Sequence, residues 1–240
     1  MNPSFRITER NFKLKNRISE ILARISKAAE NCGRSPDEIK LVAVSKTKPA
    51  ASIRQALDAG LELFGENYIQ EARDKFNKLA GSSIQWHFIG HLQSNKAKYA
   101  VRMFDLIHSV DSEKLAGELN KQAGKTGKLQ PVLVQVNIAR ESSKSGAFRE
   151  DTVNLVEKIS TLENLSLCGL MTIPPFFNSP EKVRPYFKEL REVRNHIRGL
   201  SIPGISMDEL SMGMTGDFEA AIEEGATLVR IGTAIFGERE

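Results

Sequence analysis

The residues best placed to do chemistry stand directly after short apolar runs. Lys46 closes the run Leu41-Val42-Ala43-Val44-Ser45. An amine at the closing end of a buried strand loses part of its hydration, which disfavours its charged form. The neutral amine is the species that condenses with aldehydes. Position alone fits equally a lysine that lays its stem along a rim and keeps its ammonium in water. Lys48 is a rival, although Pro49 behind it turns the chain. Two other segments have the composition of anion cradles: Ser211-Met212-Gly213-Met214-Thr215-Gly216-Asp217 and Arg230-Ile231-Gly232-Thr233-Ala234. Small residues let backbone N–H groups approach an anion, and hydroxyls add donors. A helix predicted after Asp217 would aim its positive end at the same place. Read alone, each segment is as readily a Gly-containing turn. Joined with Lys46, they suggest a phosphorylated aldehyde, its phosphate held by the two loops and its carbonyl carbon offered to the amine.

The elements that must position these residues alternate along the chain. A long helix is predicted from about Phe5 to Cys32, with Leu14, Ile18, Ile21, Leu22, Ile25, Ala29 and Cys32 as one apolar stripe. Gly33 and Pro36 stop it. Eight apolar runs follow as candidate strands: Leu41–Ser45, Leu63–Gly65, Trp86–Ile89, Leu106–Val110, Val132–Ile138, Leu167–Ile173, Ile205–Ser211 and Leu228–Gly232. Helical stretches separate them at Ala51–Ala59, Tyr68–Leu79, Asn95–Phe104, Ser112–Ala123, Thr152–Leu162, Glu181–Ile197 and Phe218–Glu224. Nearly continuous apolar strands alternating with helices predict a parallel sheet covered by helices. Eight repeats of roughly 20–35 residues favour a closed TIM (β/α)8 barrel over an open doubly wound sheet. The eighth helix is missing after the last strand, so the N-terminal helix is expected to complete the ring. Residues 1–240 read as a single barrel domain.

In such a barrel the chemistry gathers at the C-terminal ends of the strands. Besides the segments above, those ends carry Asn67, His87 with His91, Asp111, Asn137 and Thr172. His87 and His91 have the spacing of a helical metal pair, but at a strand end four residues span roughly 13 Å, too far to share one ion unless the chain turns. No Gly-x-Ser-x-Gly elbow supports a serine hydrolase, and neither Gly-containing loop has P-loop or Rossmann spacing. Met103, Phe104, Phe176 and Phe177 read as core or loop packing.

The 240 residues are 40% hydrophobic and 27% charged, the proportions of an ordinary globular chain. No apolar run approaches the ~18 residues of a membrane span, and Met1–Arg10 is too polar for a signal peptide. Cys32 and Cys168 fit no metal spacing and no disulfide framework, so a cytoplasmic protein with reduced thiols is expected. The net charge is +4, and residues 1–50 hold 11 basic against 5 acidic side chains. No like-charge run is long enough for a nucleic-acid tail, so this excess reads as a solvated helix face.

The motifs Val44-Ser45-Lys46-Thr47-Lys48-Pro49, Phe64-Gly65-Glu66-Asn67-Tyr68, Trp86-His87-Phe88-Ile89-Gly90 and Leu92-Gln93-x-Asn95-Lys96 resemble those of the pyridoxal phosphate homeostasis protein family. So do Ser143-Lys144-Ser145-Gly146, Gly169-Leu170-Met171, Leu210 to Met214 and Val229 to Gly237, so that the resemblance runs from about residue 41 to 237. It implies a barrel like the N-terminal domain of alanine racemases, carrying pyridoxal 5′-phosphate (PLP) as a Schiff base on Lys46. It further implies that Arg230 faces the pyridine nitrogen, that Ser211, Gly213, Gly232 and Thr233 hold the phosphate, that Asn67 lines the pocket, and that Lys144 is a secondary contact or an exit-path residue. Thr215 stands where many members have serine, and it keeps the hydroxyl. The function expected from this likeness is storage or delivery of PLP by a monomer, with PLP-dependent apoenzymes as recipients and no nucleic-acid or membrane partner. A racemase-like enzyme is the alternative. It is disfavoured because the chain lacks the extra β-domain of alanine racemases, which supplies their opposing tyrosine base. A lysine-dependent aldolase acting on sugar phosphates is a weaker third possibility.

Overall fold

A computed structural model describes residues 3–141 and 144–238, with side chains described from residue 12 onward. Eight parallel strands pair in chain order, and the last returns to the first, closing a barrel. The strands are β1 (Lys40–Val44), β2 (Leu63–Glu66), β3 (Gln85–Phe88), β4 (Leu106–Val110), β5 (Gln130–Gln135), β6 (Leu165–Met171), β7 (Glu209–Ser211) and β8 (Leu228–Ile231). Each is covered on both faces, which is why its apolar residues run consecutively instead of alternating with polar ones. The helices are α1 (Pro3–Asn31), α2 (Ala50–Asp58), α3 (Ile69–Lys78), α4 (Ala97–Met103), α5 (Glu113–Gly124), α6 (Arg149–Ser160), α7 (Pro180–Gly199), α8 (Phe218–Glu223) and α9 (Thr233–Phe236). Local signals start them: Ser112 caps α5 through its hydroxyl, and Pro180 opens α7 where its missing N–H costs nothing.

The barrel interior has its own small apolar layer of Val42, Leu106, Leu133, Met171 and Leu228. The larger core lies between strands and helices. Side chains alternate along a strand, so the inward row that begins at Val42, Leu106 and Leu228 continues at Val44, His108 and Arg230. That row decides what reaches the mouth.

Helix α1 packs on α8, α9 and α2 and completes the ring, as expected. Its buried stripe is Leu14, Ile18, Ile21, Ile25, Ala28 and Ala29, whereas Leu22 is 43% exposed and Cys32 is exposed. Spacings of four and three keep the stripe on one face, and Leu22 sits about 100° round from Ile21. The ring also has a short piece that the sequence reading lacked, the four-residue α9 after β8. The predicted strand Ile205–Ser211 shrinks to three residues, although the Ser206 N–H still donates to the Leu167 carbonyl at 2.9 Å. The predicted helix Asn95–Phe104 divides into a 3-10 turn at Ser94–Lys96 and α4. No described helix is long and apolar enough to cross a membrane. If α1 is an integral wall of the barrel, Ile21→Ala lowers unfolding stability by about 2–4 kcal/mol, and Leu22→Ala changes it by less than about 1 kcal/mol. Chemical denaturation of the two variants checks this.

Candidate functional site

The order of the ring brings the four key strand ends together. β1 lies between β2 and β8, and β8 lies between β1 and β7. Val44 is in register with Gly65, and Ala43 with Ile231. Lys46 and Asn67, each two residues further on, therefore sit side by side on the rim, and Gly232 and Thr233 lie on the other side of Lys46. Lys46, Asn67 and Gly232 are half-buried, and Thr233 is exposed. The rival Lys48 turns outward, where its Nζ donates to the carbonyl of Glu238 at 2.7 Å.

Arg230 lies under this corner, 3% exposed. Its Nη1 donates to Ser211 Oγ at 2.6 Å and its Nη2 to the carbonyl of Thr172 at 2.9 Å. Burial pushes its pKa down to about 10, against the opposing charge of Asp217, so it remains a cation at neutral pH. Ser211 is fully buried, and its hydroxyl is engaged by Arg230 and by His108 Nδ1 at 2.9 Å. Its side chain thus faces the barrel interior and braces the guanidinium, rather than standing in the loop with the phosphate donors expected from the sequence. The reason is its place on the inward row of β7, two residues before the loop glycine.

The bracing continues downward. His108 Nε2 lies 3.0 Å from His87 Nδ1. A guanidinium only donates, so the pattern that satisfies every group has the Ser211 hydroxyl donating to His108 Nδ1 and His108 Nε2–H donating to His87. This needs two neutral imidazoles. Burial, then the charge of Lys40, pushes His87 down to about 4. Burial, then His87 and Arg230, holds His108 well below its usual value.

The β7 loop begins at Gly213, whose φ of +90° is a conformation that L side chains resist. A Cβ there would lie 2.6 Å from that of Ala221, so glycine lets the loop close down onto α8. Met214 N–H is capped by Asp217 Oδ1 at 2.6 Å, and the Arg230 N–H bonds the Gly213 carbonyl at 3.0 Å, tying this loop to β8. In the β8 loop, the N–H groups of Ile235 and Phe236 bond back to the Gly232 carbonyl. Those of Thr233 and Ala234 precede the first helical bond and remain as donors at the rim. Asn67 is held by close backbone approach: a Cβ on Gly90 would lie 2.2 Å from the Asn67 carbonyl oxygen. Its side-chain Oδ1 is buried without a hydrogen-bond partner among the described residues.

Other predicted positions lie elsewhere. His91 is exposed, with Ser145 Oγ at 2.9 Å from its Nδ1 and Asp111 at 3.7 Å. No group of three metal-ligating side chains occurs among the described residues. Asn137 Nδ2 donates to the carbonyls of Glu141 and Lys144, shaping the β5 loop. Lys144 pairs with Glu141 at 2.8 Å on that loop, which is opposite β1 in the ring. Ser143 of the same motif lies outside the described residues. Met103 and Phe104 are buried and Phe177 stacks on Tyr186, but Phe176 is 85% exposed and so lies outside the core. Sequence reasoning missed His108 and the buried Lys75. A polar residue inside the apolar run Leu106–Val110 was the available signal for the first.

The folded state keeps His87 neutral, whereas the unfolded chain takes up a proton below its ordinary 6.5. Between about 6.5 and 4 the unfolded state binds more protons, so this group removes stability as the pH falls. On lowering the pH from 7 to 4, His87→Asn is expected to lose less stability than the parent, by up to roughly 3 kcal/mol. The raised carboxyls Glu66 and Asp217 act in the opposite sense but are common to both proteins. Denaturation at several pH values measures the difference; parallel pH profiles would contradict the buried neutral pair.

The alanine racemase N-terminal domain family matches residues 17–240. Pyridoxal phosphate homeostasis proteins of Aquifex aeolicus and of Escherichia coli K12 are each 46% identical to the chain, over 224 and 228 residues; the alignments cover 93% of this chain and 97% and 95% of those proteins. The structure of PipY from Synechococcus elongatus, with PLP bound, is 35% identical and superposes with a TM-score of 0.81 over 93% of this chain and all of that one. An alanine racemase from Clostridium difficile is only 16% identical, with a TM-score of 0.66 over 90% of this chain and 56% of its own length, a likeness of fold. With its closed barrel, its guanidinium beneath the β1–β8 corner and relatives this similar over nearly their whole length, the chain belongs to the pyridoxal phosphate homeostasis proteins of the alanine racemase N-terminal domain family.

Proposed function

We propose that the chain binds PLP at the β1–β2–β7–β8 corner through a Schiff base to Lys46, and that it serves vitamin B6 homeostasis by storing the cofactor or delivering it to PLP-dependent apoenzymes. The observation that carries this reading is the pairing of β1 with β8, which sets the half-buried Lys46 on the strand next to that of a buried, permanently charged guanidinium. The residues fit the group. The partnerless Asn67 Oδ1 is an acceptor in want of a donor, Arg230 is a buried donor for a ring nitrogen, and the Gly213 and Gly232–Thr233 loops bring backbone N–H groups to the rim for a phosphate.

PLP, when bound, supplies an aldehyde for covalent attachment and a ring that can withdraw electrons. Lys46 would give up its amine proton and hold the aldehyde carbon. Arg230, with no proton to receive, would donate to the ring nitrogen and disfavour its protonation. Ser211 and Thr172 keep that donor aimed, and His108 holds Ser211. A guanidinium in this place weakens electron withdrawal, so the corner favours retention of the cofactor over carbanion chemistry. The proposed carrier acts as a cytoplasmic monomer.

Purified protein loaded with PLP is expected to be yellow, and borohydride should fix one PLP on Lys46, read by peptide mass spectrometry. Lys46→Ala should lose both signals; unchanged absorbance in that variant would overturn the assignment. Incubation with L- and D-amino acids in deuterated water separates the carrier from a racemase-like enzyme, because sustained deuterium uptake at Cα would establish the latter.

A further inference from the structure

Behind Lys46 lies an ion cluster that its proposed attachment to PLP does not by itself require. Lys75, on α3, is 5% exposed. Its Nζ donates to the Ser45 carbonyl at 2.7 Å, to Glu66 Oε1 at 2.7 Å and to Glu71 Oε1 at 2.6 Å. Three donors meet three acceptors, so this ammonium is saturated. The fully buried Glu66 also accepts from the Ser45 hydroxyl at 2.6 Å. Glu71 Oε1 in addition accepts from the Thr47 backbone N–H.

The cluster thereby grips the chain on both sides of Lys46. The Ser45 carbonyl belongs to the peptide unit entering Lys46, and the Thr47 N–H belongs to the unit leaving it. Fixing both peptide planes fixes the direction of the Cα–Cβ bond between them. Thr47 itself has φ +65°, a left-handed conformation unusual for a β-branched residue. Such a conformation persists only where surrounding contacts hold it, and the bond to Glu71 is such a contact. Burial raises the pKa of Glu66, and the charge and hydrogen bond of Lys75 pull the other way, so the carboxylate form depends on that cation.

We propose that Lys75, Glu66 and Glu71 are positioning residues that aim Lys46 into the mouth and set how fast and how firmly its amine captures an aldehyde. The proposal rests on the reading of Lys46 as the PLP attachment point. Condensation of the amine with an aldehyde forms one C=N bond and releases one water, and it needs no oxidant or reductant. The cluster meets this segment at the Ser45 carbonyl and hydroxyl and at the Thr47 N–H, so its effect passes through residues 45–47.

Three variants test this: Glu71→Ala, Glu71→Gln, which keeps an oxygen for Thr47 and Lys75, and Lys75→Met. For each, thermal unfolding, hydrogen exchange at the Thr47 amide, the rate of PLP capture by the ligand-free protein and the pH titration of the bound chromophore are measured well below the unfolding temperature. Glu71→Ala should speed Thr47 exchange and slow capture on the order of ten-fold, with a displaced chromophore titration. Glu71→Gln should restore capture to within about three-fold of the parent. Lys75→Met should be at least as impaired as Glu71→Ala; if it does not fold, Glu71→Ala decides alone. A merely structural cluster would lower the unfolding temperature and leave capture and titration by the folded protein unchanged, which overturns the proposal. So does unaltered Thr47 exchange in Glu71→Ala. If the parent protein itself captures no PLP, or Lys46→Ala captures it equally, the site reading fails instead, and the proposal falls with it.

Discussion

The site depends on a guanidinium buried in the barrel and touched by neutral oxygens. Removing a charge from water costs several kcal/mol unless it is paired and fully hydrogen-bonded. Arg230 donates to one hydroxyl and one carbonyl, those of Ser211 and Thr172, and the charge of Asp217 opposes the effect of burial on it. That arrangement is poor as a stabilising device. It is sound as a binding device, because it leaves a cation in a low-dielectric setting where an electron-rich partner gains most from meeting it. The inward row of β8, the brace from β7 and the two neutral histidines below all serve to keep this one group charged and aimed.

The contrast with Lys75 clarifies this. Both side chains are buried cations, yet Lys75 is answered by two carboxylates and a carbonyl while Arg230 meets no carboxylate directly among the described residues. The first has its charge neutralised and its donors spent, so it can only hold structure in place. The second keeps an outward field. A buried guanidinium held by neutral oxygens suits an electron-rich ring nitrogen. Lys46 lies between these two centres in the ring order, with the paired Lys75 on the β2 side and Arg230 on the β8 side.

Much of this was legible in the residues. Strand–helix alternation marks eight strands, and the closing positions of the apolar runs single out Lys46, Asn67 and Arg230. The two-residue period is what makes those positions readable: Val42 to Val44 to Lys46, and Leu228 to Arg230 to Gly232, are single inward rows. The same period accounts for Ser211, whose polar character suggested a phosphate donor but whose place on the inward row makes it a brace for Arg230. His108 was hidden because the polar pair His108-Ser109 in an apolar run looks like a tolerated exception until the neighbours across the barrel are known. Lys75 was hidden for a different reason. On α3 it reads as one more surface lysine paired with Glu71 four residues earlier, and only the pairing of β1 with β2 beside α3 carries Glu66 and the Ser45 carbonyl to it. Leu22 shows the opposite failure, an apolar residue counted into a stripe from which the pitch of the helix removes it.

The account turns on Arg230 acting as a donor that keeps the ring nitrogen unprotonated. Nitrogen NMR of the protein loaded with PLP labelled with 15N in the ring reads that state directly. The predicted result is the shift of an unprotonated pyridine nitrogen accepting a hydrogen bond, unchanged across neutral pH. A pyridinium shift under the same conditions would contradict the account.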